Sequence, residues 1–164
     1  MTSRRALGAV TALLLIAAVV LGVLYVAKVR PDHSRDAKLV AARAGALAAG
    51  RQAIINLDAI SAKTLDADLK RVEAVSTGKF KDLFTKSETT LRDLYPQQQT
   101  ASTGTIRSAA VVSTDTDSVT LLIASDRSVT DVSNKTPVLQ TSRWEIVMEK
   151  HGGKWLMADL EPVP

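Results

Sequence analysis

The chain has 164 residues, a formal charge of +4 and no cysteine. Its length allows one domain after a short leading segment, and the lack of cysteine excludes disulfide frameworks and thiolate chemistry. The first 30 residues contain four basic side chains and no acidic one, so residues 31–164 are formally neutral. A surface that neutralises phosphates is therefore not predicted, and nucleic acid is not an expected partner.

The segment from Ala6 to Ala27 is uncharged and apolar, and it is bounded by Arg5 and Lys28. As a helix it would measure about 33 Å, which is close to the hydrocarbon thickness of a bilayer. A cleaved signal peptide is the competing interpretation. The apolar core of a signal peptide is normally shorter than this segment, and no Ala-x-Ala cleavage site precedes Lys28. We therefore predict an uncleaved signal anchor that spans the membrane and contacts its lipids.

The domain organisation follows from this anchor. Residues 1–30 are predicted to form a short cytoplasmic tail and the transmembrane helix, and residues 31–164 an extracytoplasmic domain. Basic residues flank the apolar segment on both sides, so charge alone does not fix its orientation. Long domains cross the membrane largely regardless of charge, which favours a cytoplasmic amino terminus and an external carboxyl-terminal domain at the cell membrane.

Three helices are predicted after the anchor. Pro31 is expected to end the first helix, with a polar hinge at residues 32–36. A second helix covers residues 36–60, because small or apolar side chains recur there at helical spacing. That buried stripe consists of Leu39, Ala42, Ala46, Ala49, Ala53, Leu57 and Ile60. Since the stripe is mostly alanine, its packing partner must approach closely.

A short helix is predicted over residues 69–75, after a group of polar side chains that includes Thr64, Asp66 and Asp68. Their spacing does not match a calcium-binding loop, so we interpret the carboxylates as helix caps. A further helix over residues 79–95 is expected to end at Pro96, with a polar loop over residues 97–103.

Four strands complete the predicted fold, because β-branched and aromatic residues alternate with polar ones from Gly104 onward. Gly152 and Gly153 supply the turn of the clearest hairpin. The predicted strands cover residues 105–114, 118–126, 139–151 and 154–160, and a long polar connection covers residues 125–137. Helices followed by strands indicate an α+β domain, with helices packed on one face of a curved four-stranded antiparallel sheet.

No catalytic, cofactor-binding or metal-binding residue is predicted. His33 and His151 have no partner at metal-ligand spacing, and no motif for a nucleophile or a phosphate loop occurs. Sheet-and-helix domains of this shape can hold an Asp and a Tyr as an acid/base pair, for which Asp58, Tyr95 and Asp159 are the candidates. We expect a protein that is not an enzyme.

Trp144 and Trp155 flank the last hairpin. One interpretation is that they stack on a ligand. Large aromatic residues in strands usually serve packing, so we expect at least one to close the sheet against the helices.

Several motifs, in the same order along nearly the whole chain, resemble those of Mce-associated membrane proteins. The resemblance follows the N-terminal anchor and rests on the runs Asn56 to Asp58, Asp66 to Val72, Ser76 to Phe80, Arg143 to Met148 and Gly152 to Leu156. Each motif is weak alone, and their order carries the resemblance.

The resemblance implies a cystatin-like or nuclear transport factor 2-like cone, a fold also seen in periplasmic domains of type IV secretion assembly factors. It further implies an accessory or scaffolding subunit of a mammalian-cell-entry (Mce) system for lipid or sterol transport, with Mce proteins and permease subunits as partners. A lipid-binding module of that pathway, a type IV secretion assembly-like subunit and a small isomerase-like enzyme are the alternatives. The transported substrate and the oligomeric state are left open.

Overall fold

The computed structural model describes the backbone from Thr2 to Pro164 and the side chains of residues 18–25 and 34–164. The chain divides into two units, one up to Lys38 and one from Leu39 to Pro164. Its main elements are α1 (Thr2–Asp58), α2 (Leu65–Glu73), α3 (Gly78–Gln98), β1 (Ala101–Thr114), β2 (Ser118–Thr130), β3 (Val138–His151) and β4 (Lys154–Pro162). The predicted α+β class is confirmed.

The first unit is the amino-terminal part of α1. Large apolar side chains there are half to two-thirds exposed, namely Val19, Val20, Leu21, Val23, Leu24 and Tyr25. Most side chains of the predicted anchor, residues 6–27, lie outside the described residues. Within the described part of the chain, no helix has an apolar stretch of the length that crossing a bilayer requires.

The predicted helix break at Pro31 is wrong, because α1 is continuous from Thr2 to Asp58 and includes the expected hinge at residues 32–36. Proline inside a helix removes one hydrogen bond and costs about 3 kcal/mol. Long runs of alanine, leucine and other good helix formers flank this position, and each extends the helix from its own side. The free-energy cost of Pro31 is therefore too small to end α1.

In the second unit, α1 packs on the sheet through small residues. Ala42, Ala46 and Ala53 are buried, as the alanine stripe predicts. A Cβ atom on Gly50 would lie 2.5 Å from the Leu121 Cδ1 atom, so a larger residue here would force the Leu121 side chain to move. The close contact expected of an alanine-rich face is confirmed.

The sheet has the order β1-β2-β3-β4, and all its neighbours are antiparallel. Alternate residues of each strand face the helices, as the predicted alternation requires. Leu121 of β2 pairs with Ile146 of β3, and Val119 pairs with Met148. These side chains form the core together with others from α1, α2, α3 and β4, among them Ile54, Leu69, Val72, Phe80, Phe84 and Met157.

The second helix, α2, begins at Leu65, four residues before the predicted start, and ends at Glu73. Asp66 and Asp68 lie inside its first turn, not before it. The buried Asp68 carboxylate accepts hydrogen bonds from the Ser61 N–H at 2.9 Å and the Thr64 hydroxyl at 2.7 Å. This carboxylate therefore ties the helix to the segment ahead of it.

The predicted end of α3 at Pro96 is also wrong, because the helix continues to Gln98. Gln99 has a φ of 49°, and the Thr100 N–H donates to the Tyr95 carbonyl at 3.1 Å. A left-handed residue with this hydrogen bond is a common helix ending. Proline precedes this ending by one turn and does not cause it.

Two predicted loops are shorter than expected. β1 begins at Ala101, inside the predicted loop of residues 97–103, and β2 extends to Thr130, inside the predicted connection of residues 125–137. These two strand ends pair with each other, Ala101 opposite Thr130. Backbone pairing with a neighbouring strand overrides the polar composition that indicated loops.

Candidate functional site

Asp58, the last residue of α1, is buried beside β1, and 6% of its surface is exposed. A Cβ atom on Gly104 would lie 2.5 Å from the Asp58 Cβ atom. The absence of a side chain at Gly104 is therefore what lets the end of α1 come this close to the sheet. Asp58, one of the acid/base candidates from the sequence, therefore lies at the contact between α1 and β1.

Two residues of β2 meet Asp58 from the helix-facing side of the sheet. Ser125 is almost completely buried, and its hydroxyl lies beside the Asp58 carboxyl. Arg127 is half-buried and places its positive charge near the same carboxyl. Its Nη2 atom also donates a hydrogen bond to the Tyr95 hydroxyl at 2.7 Å. We call Asp58, Tyr95, Ser125 and Arg127 the Asp58 cluster.

The Asp58 cluster holds polar atoms that the protein does not fully pair. Among the described residues, Asp58 Oδ2, Ser125 Oγ and Arg127 Nε are buried without a hydrogen-bond partner of normal geometry. They are an acceptor, a hydroxyl and a donor, respectively. Chemically, such a group can hold a proton at Asp58 or bind one small polar group.

Burial raises the pKa of the Asp58 carboxyl above its ordinary value of 3.8, and the Ser125 hydroxyl and the Arg127 charge offset part of the rise. The folded state therefore binds this proton more tightly than the unfolded state does. Burial of the charged carboxylate therefore lowers the free energy of unfolding. This loss is absent below pH 3.8 and develops as the pH rises through the raised pKa.

We expect Asp58→Asn to increase the free energy of unfolding at pH 7, because the variant has no buried charge at this position. Its advantage over the wild type should shrink as the pH falls toward 4. Urea unfolding across this pH range measures the difference. Asp126→Asn is the control of opposite sign, since the Thr141 hydroxyl and Arg107 lower the pKa of the Asp126 carboxyl. A constant difference between Asp58→Asn and the wild type across the range would contradict the assignment.

The structure joins two of the three acid/base candidates and separates the third. Asp58 and Tyr95 belong to the same cluster through Arg127. Asp159 lies on β4 and forms an ion pair with Lys79 at 2.9 Å on the surface. Asp159 therefore lies apart from the other two candidates.

The second strand was predicted to end at Asp126, which left Arg127 outside the sheet, and the hydroxyl of Ser125 within that strand was given no role. A signal was present, since Leu121, Ile123, Ser125 and Arg127 continue one alternating pattern. Extending the strand by one more step of that pattern places the Arg127 side chain on the helix-facing side, next to that of Ser125.

The two histidines do not contribute to the Asp58 cluster. The side chain of His33 lies outside the described residues. His151 is exposed at the end of β3, where its Nε2 atom lies 3.1 Å from Glu149 Oε2. Among the side chains that the structure describes, no group of three or more His, Asp or Glu residues has an arrangement that would hold a metal ion.

Three cavities open elsewhere on the second unit. One of about 620 Å³ is lined by Lys63, Pro96, Gln99 and their neighbours, and one of about 330 Å³ lies between two hairpin turns. The third, of about 290 Å³, lies against β1, β2 and β3. None of these three is lined by a residue of the Asp58 cluster, so the cluster does not form the wall of a substrate-sized cavity there.

Both tryptophans pack against the core. A Cβ atom on Gly45 of α1 would lie 2.7 Å from the Trp155 Nε1 atom, and the Lys150 ammonium lies 5.8 Å from the centre of the same ring. The predicted packing role is confirmed for Trp155, which closes the sheet against α1.

Comparison with protein families gives a match over residues 5–164 to the family described as "Uncharacterized protein Rv1363c/MT1408-like". Among curated proteins, the chain is 29% identical over 123 residues to Rv1363c of Mycobacterium tuberculosis. That match covers 74% of this chain and 47% of the relative, so the chain spans about half of that relative's length. It is also 27% identical over 130 residues to a protein of the same species named outer membrane protein Rv1973, covering 79% of each.

Solved structures show the same fold at low sequence identity. An IcmL-like type IV secretion system protein from Legionella pneumophila matches with a TM-score of 0.61 and 11% identity, covering 74% of this chain and 92% of that chain. The VirB8 protein of Agrobacterium tumefaciens matches with a TM-score of 0.56 and 12% identity, covering 71% and 88%. These matches confirm the fold that the resemblance implied, which is also the fold of a type IV secretion system protein.

Proposed function

The chain belongs to the Rv1363c/MT1408-like family, and we propose that it is a membrane-anchored subunit of a cell-envelope assembly that acts through protein contacts. The observation that carries this proposal is the fold shared with the IcmL-like protein and VirB8. The name of a second relative, an outer membrane protein, supports a place in the envelope.

The anchor is the first part of the proposal. Apolar side chains of α1, including Val19, Leu21 and Tyr25, are exposed in the described part of the first unit. Neighbouring helical positions point in different directions, so apolar exposure here is not confined to one face. Lipid or another apolar helix would cover such a surface, and the sequence from Ala6 to Ala27 has the length for a span. The second unit would then lie outside the membrane.

The second part of the proposal is that the protein acts through protein contacts and not through catalysis. Asp58 and Ser125 are buried between α1 and the sheet. A catalytic acid or base must come within hydrogen-bond reach of a substrate. The position of the Asp58 cluster therefore favours a structural role, in which it fixes the end of α1 on β1 and β2.

The partner system has two candidates. The shared fold favours an assembly subunit similar to those of type IV secretion systems. The ordered motifs from Asn56 to Leu156 favour an accessory subunit of an Mce-type lipid or sterol transport system, with Mce proteins and permease subunits as its partners. Both candidates require the second unit to bind other membrane proteins.

Affinity purification of the full chain from native membranes in a mild detergent tests the proposal. The matched control keeps residues 1–38 and carries an unrelated soluble domain in place of residues 39–164. We expect other envelope membrane proteins to be enriched with the full chain and not with the control. Secretion-type subunits would support the first candidate, and Mce or permease subunits the second. Recovery of neither would contradict the proposal.

A further inference from the structure

The two edges of the sheet differ in how they are covered. Along β4, the Met157 N–H donates to the Val75 carbonyl at 2.8 Å, and the Thr77 N–H donates to the Met157 carbonyl at 2.9 Å. The segment between α2 and α3 therefore pairs with that edge at Met157. The opposite edge of the sheet is β1.

The β1 edge is covered only at its start. There the Ala62 N–H donates to the Thr100 carbonyl at 2.7 Å, and the Ser102 hydroxyl donates to the Ile60 carbonyl at 2.6 Å. Between Thr103 and Ser113, the described residues form no backbone hydrogen bond to β1 other than those from β2. Unpaired N–H and C=O groups along such an edge are a template for another strand.

We infer that β1 pairs antiparallel with β1 of a second copy of this chain, about a two-fold axis near Ala110. The two sheets would then continue into each other across the axis. Because both copies use the same edge, the contact is isologous and the assembly closes at two copies.

The charge pattern of β1 fits pairing with itself. Its only charged side chain is Arg107, which forms an ion pair with Asp126 of β2. With the axis at Ala110, the Arg107 side chains of the two copies would lie at opposite ends of the contact and not opposite each other. Edge strands that avoid association commonly carry several charges, and β1 has none from Ser108 to Thr114.

The side chains of β1 also leave room for a second strand. Ser108 and Ala110 are small and exposed, and Val112 is 54% exposed. A strand added along this edge would place a neighbouring side chain beside Val112 and reduce its exposure to water.

Irregularities of β1 limit the length of this pairing. Its register with β2 shifts between Ile106 and Ser108 and again between Val111 and Ser113. Such bulges bend and twist a strand and end regular pairing. The straight part, Ser108–Val111, is therefore the centre of the contact, and the dimer should depend strongly on it.

Disulfide cross-linking of the full chain in detergent tests the pairing, and the absence of cysteine makes single-cysteine variants specific. Residues opposite each other in antiparallel strands have Cα atoms about 4.5–5.5 Å apart, a distance that a disulfide bridges. We expect Ala110→Cys to form covalent dimers under mild oxidation and Gln140→Cys, an exposed control on β3, not to do so. Equal cross-linking of both variants, or of neither, would overturn the inference.

Charge substitutions give a second, independent readout. Ala110→Glu and Ala110→Lys each place like charges opposite each other at the axis, so each alone should weaken dimerisation about tenfold. An equimolar mixture should restore the dimer, because the unlike charges then meet. Tryptophan fluorescence should show that both variants remain folded. If Ala110→Glu dimerises as well as the wild type does, or if the mixture stays monomeric, the contact lies elsewhere or the partner is another protein, and the inference fails.

Discussion

Leu121→Ala is expected to lower the free energy of unfolding by about 2–5 kcal/mol, the range observed for truncation of a fully buried leucine. Leu121 has no exposed surface, and it lies opposite Ile146 on the helix-facing side of the sheet. It also fills the space over Gly50, where α1 approaches most closely. Truncation therefore leaves a cavity at the contact between α1 and the sheet.

Urea unfolding of the full chain in mild detergent measures this loss, and it can be followed by tryptophan fluorescence because both tryptophans lie in the sheet. Leu122→Ala is the matched control. Its side chain is 39% exposed on the opposite side of the same strand, so the same truncation should cost far less. Equal losses for the two variants would mean that α1 does not pack on Leu121 as described.

The part of the fold predicted well is the part that periodicity determines. The alanine stripe of α1 and the alternation of β2 and β3 are local patterns, and burial of Ala46, Leu121 and Ile146 follows from them directly. The strand order follows from short turns between consecutive strands. These features need no knowledge of distant residues.

The errors concern the ends of elements and contacts between distant residues. Pro31 and Pro96 predicted helix ends, yet α1 continues through Pro31, and α3 ends at Gln98 with a left-handed residue after it. The extensions of β1 and β2 exist because the two strands pair, which polar composition does not reveal. Likewise, the hydrogen bond from Arg127 to Tyr95 joins two elements, and no local spacing in the sequence predicts it.

Asp68→Ala is expected to lower the free energy of unfolding by about 2–3 kcal/mol, because hydrogen bonds to a charged group are the stronger ones. The Asp68 side chain is buried, accepts hydrogen bonds from Ser61 and Thr64, and forms an ion pair with Arg71 at 2.9 Å. Removal would leave the Ser61 N–H and the Thr64 hydroxyl without this acceptor and would loosen the connection between α1 and α2.

Asp66→Ala is the matched control for Asp68→Ala, since Asp66 lies in the same first turn of α2 and is also ion-paired, with Arg92. The Asp66 side chain is exposed, and exposed ion pairs contribute at most about 1 kcal/mol. Both variants lose one acidic group near the helix start, so their effects on the helix dipole are similar and the difference in unfolding free energy isolates the buried contacts. If the two losses were equal, Asp68 would act only as a favourable charge at the helix start, and its hydrogen bonds to Ser61 and Thr64 would contribute nothing to stability.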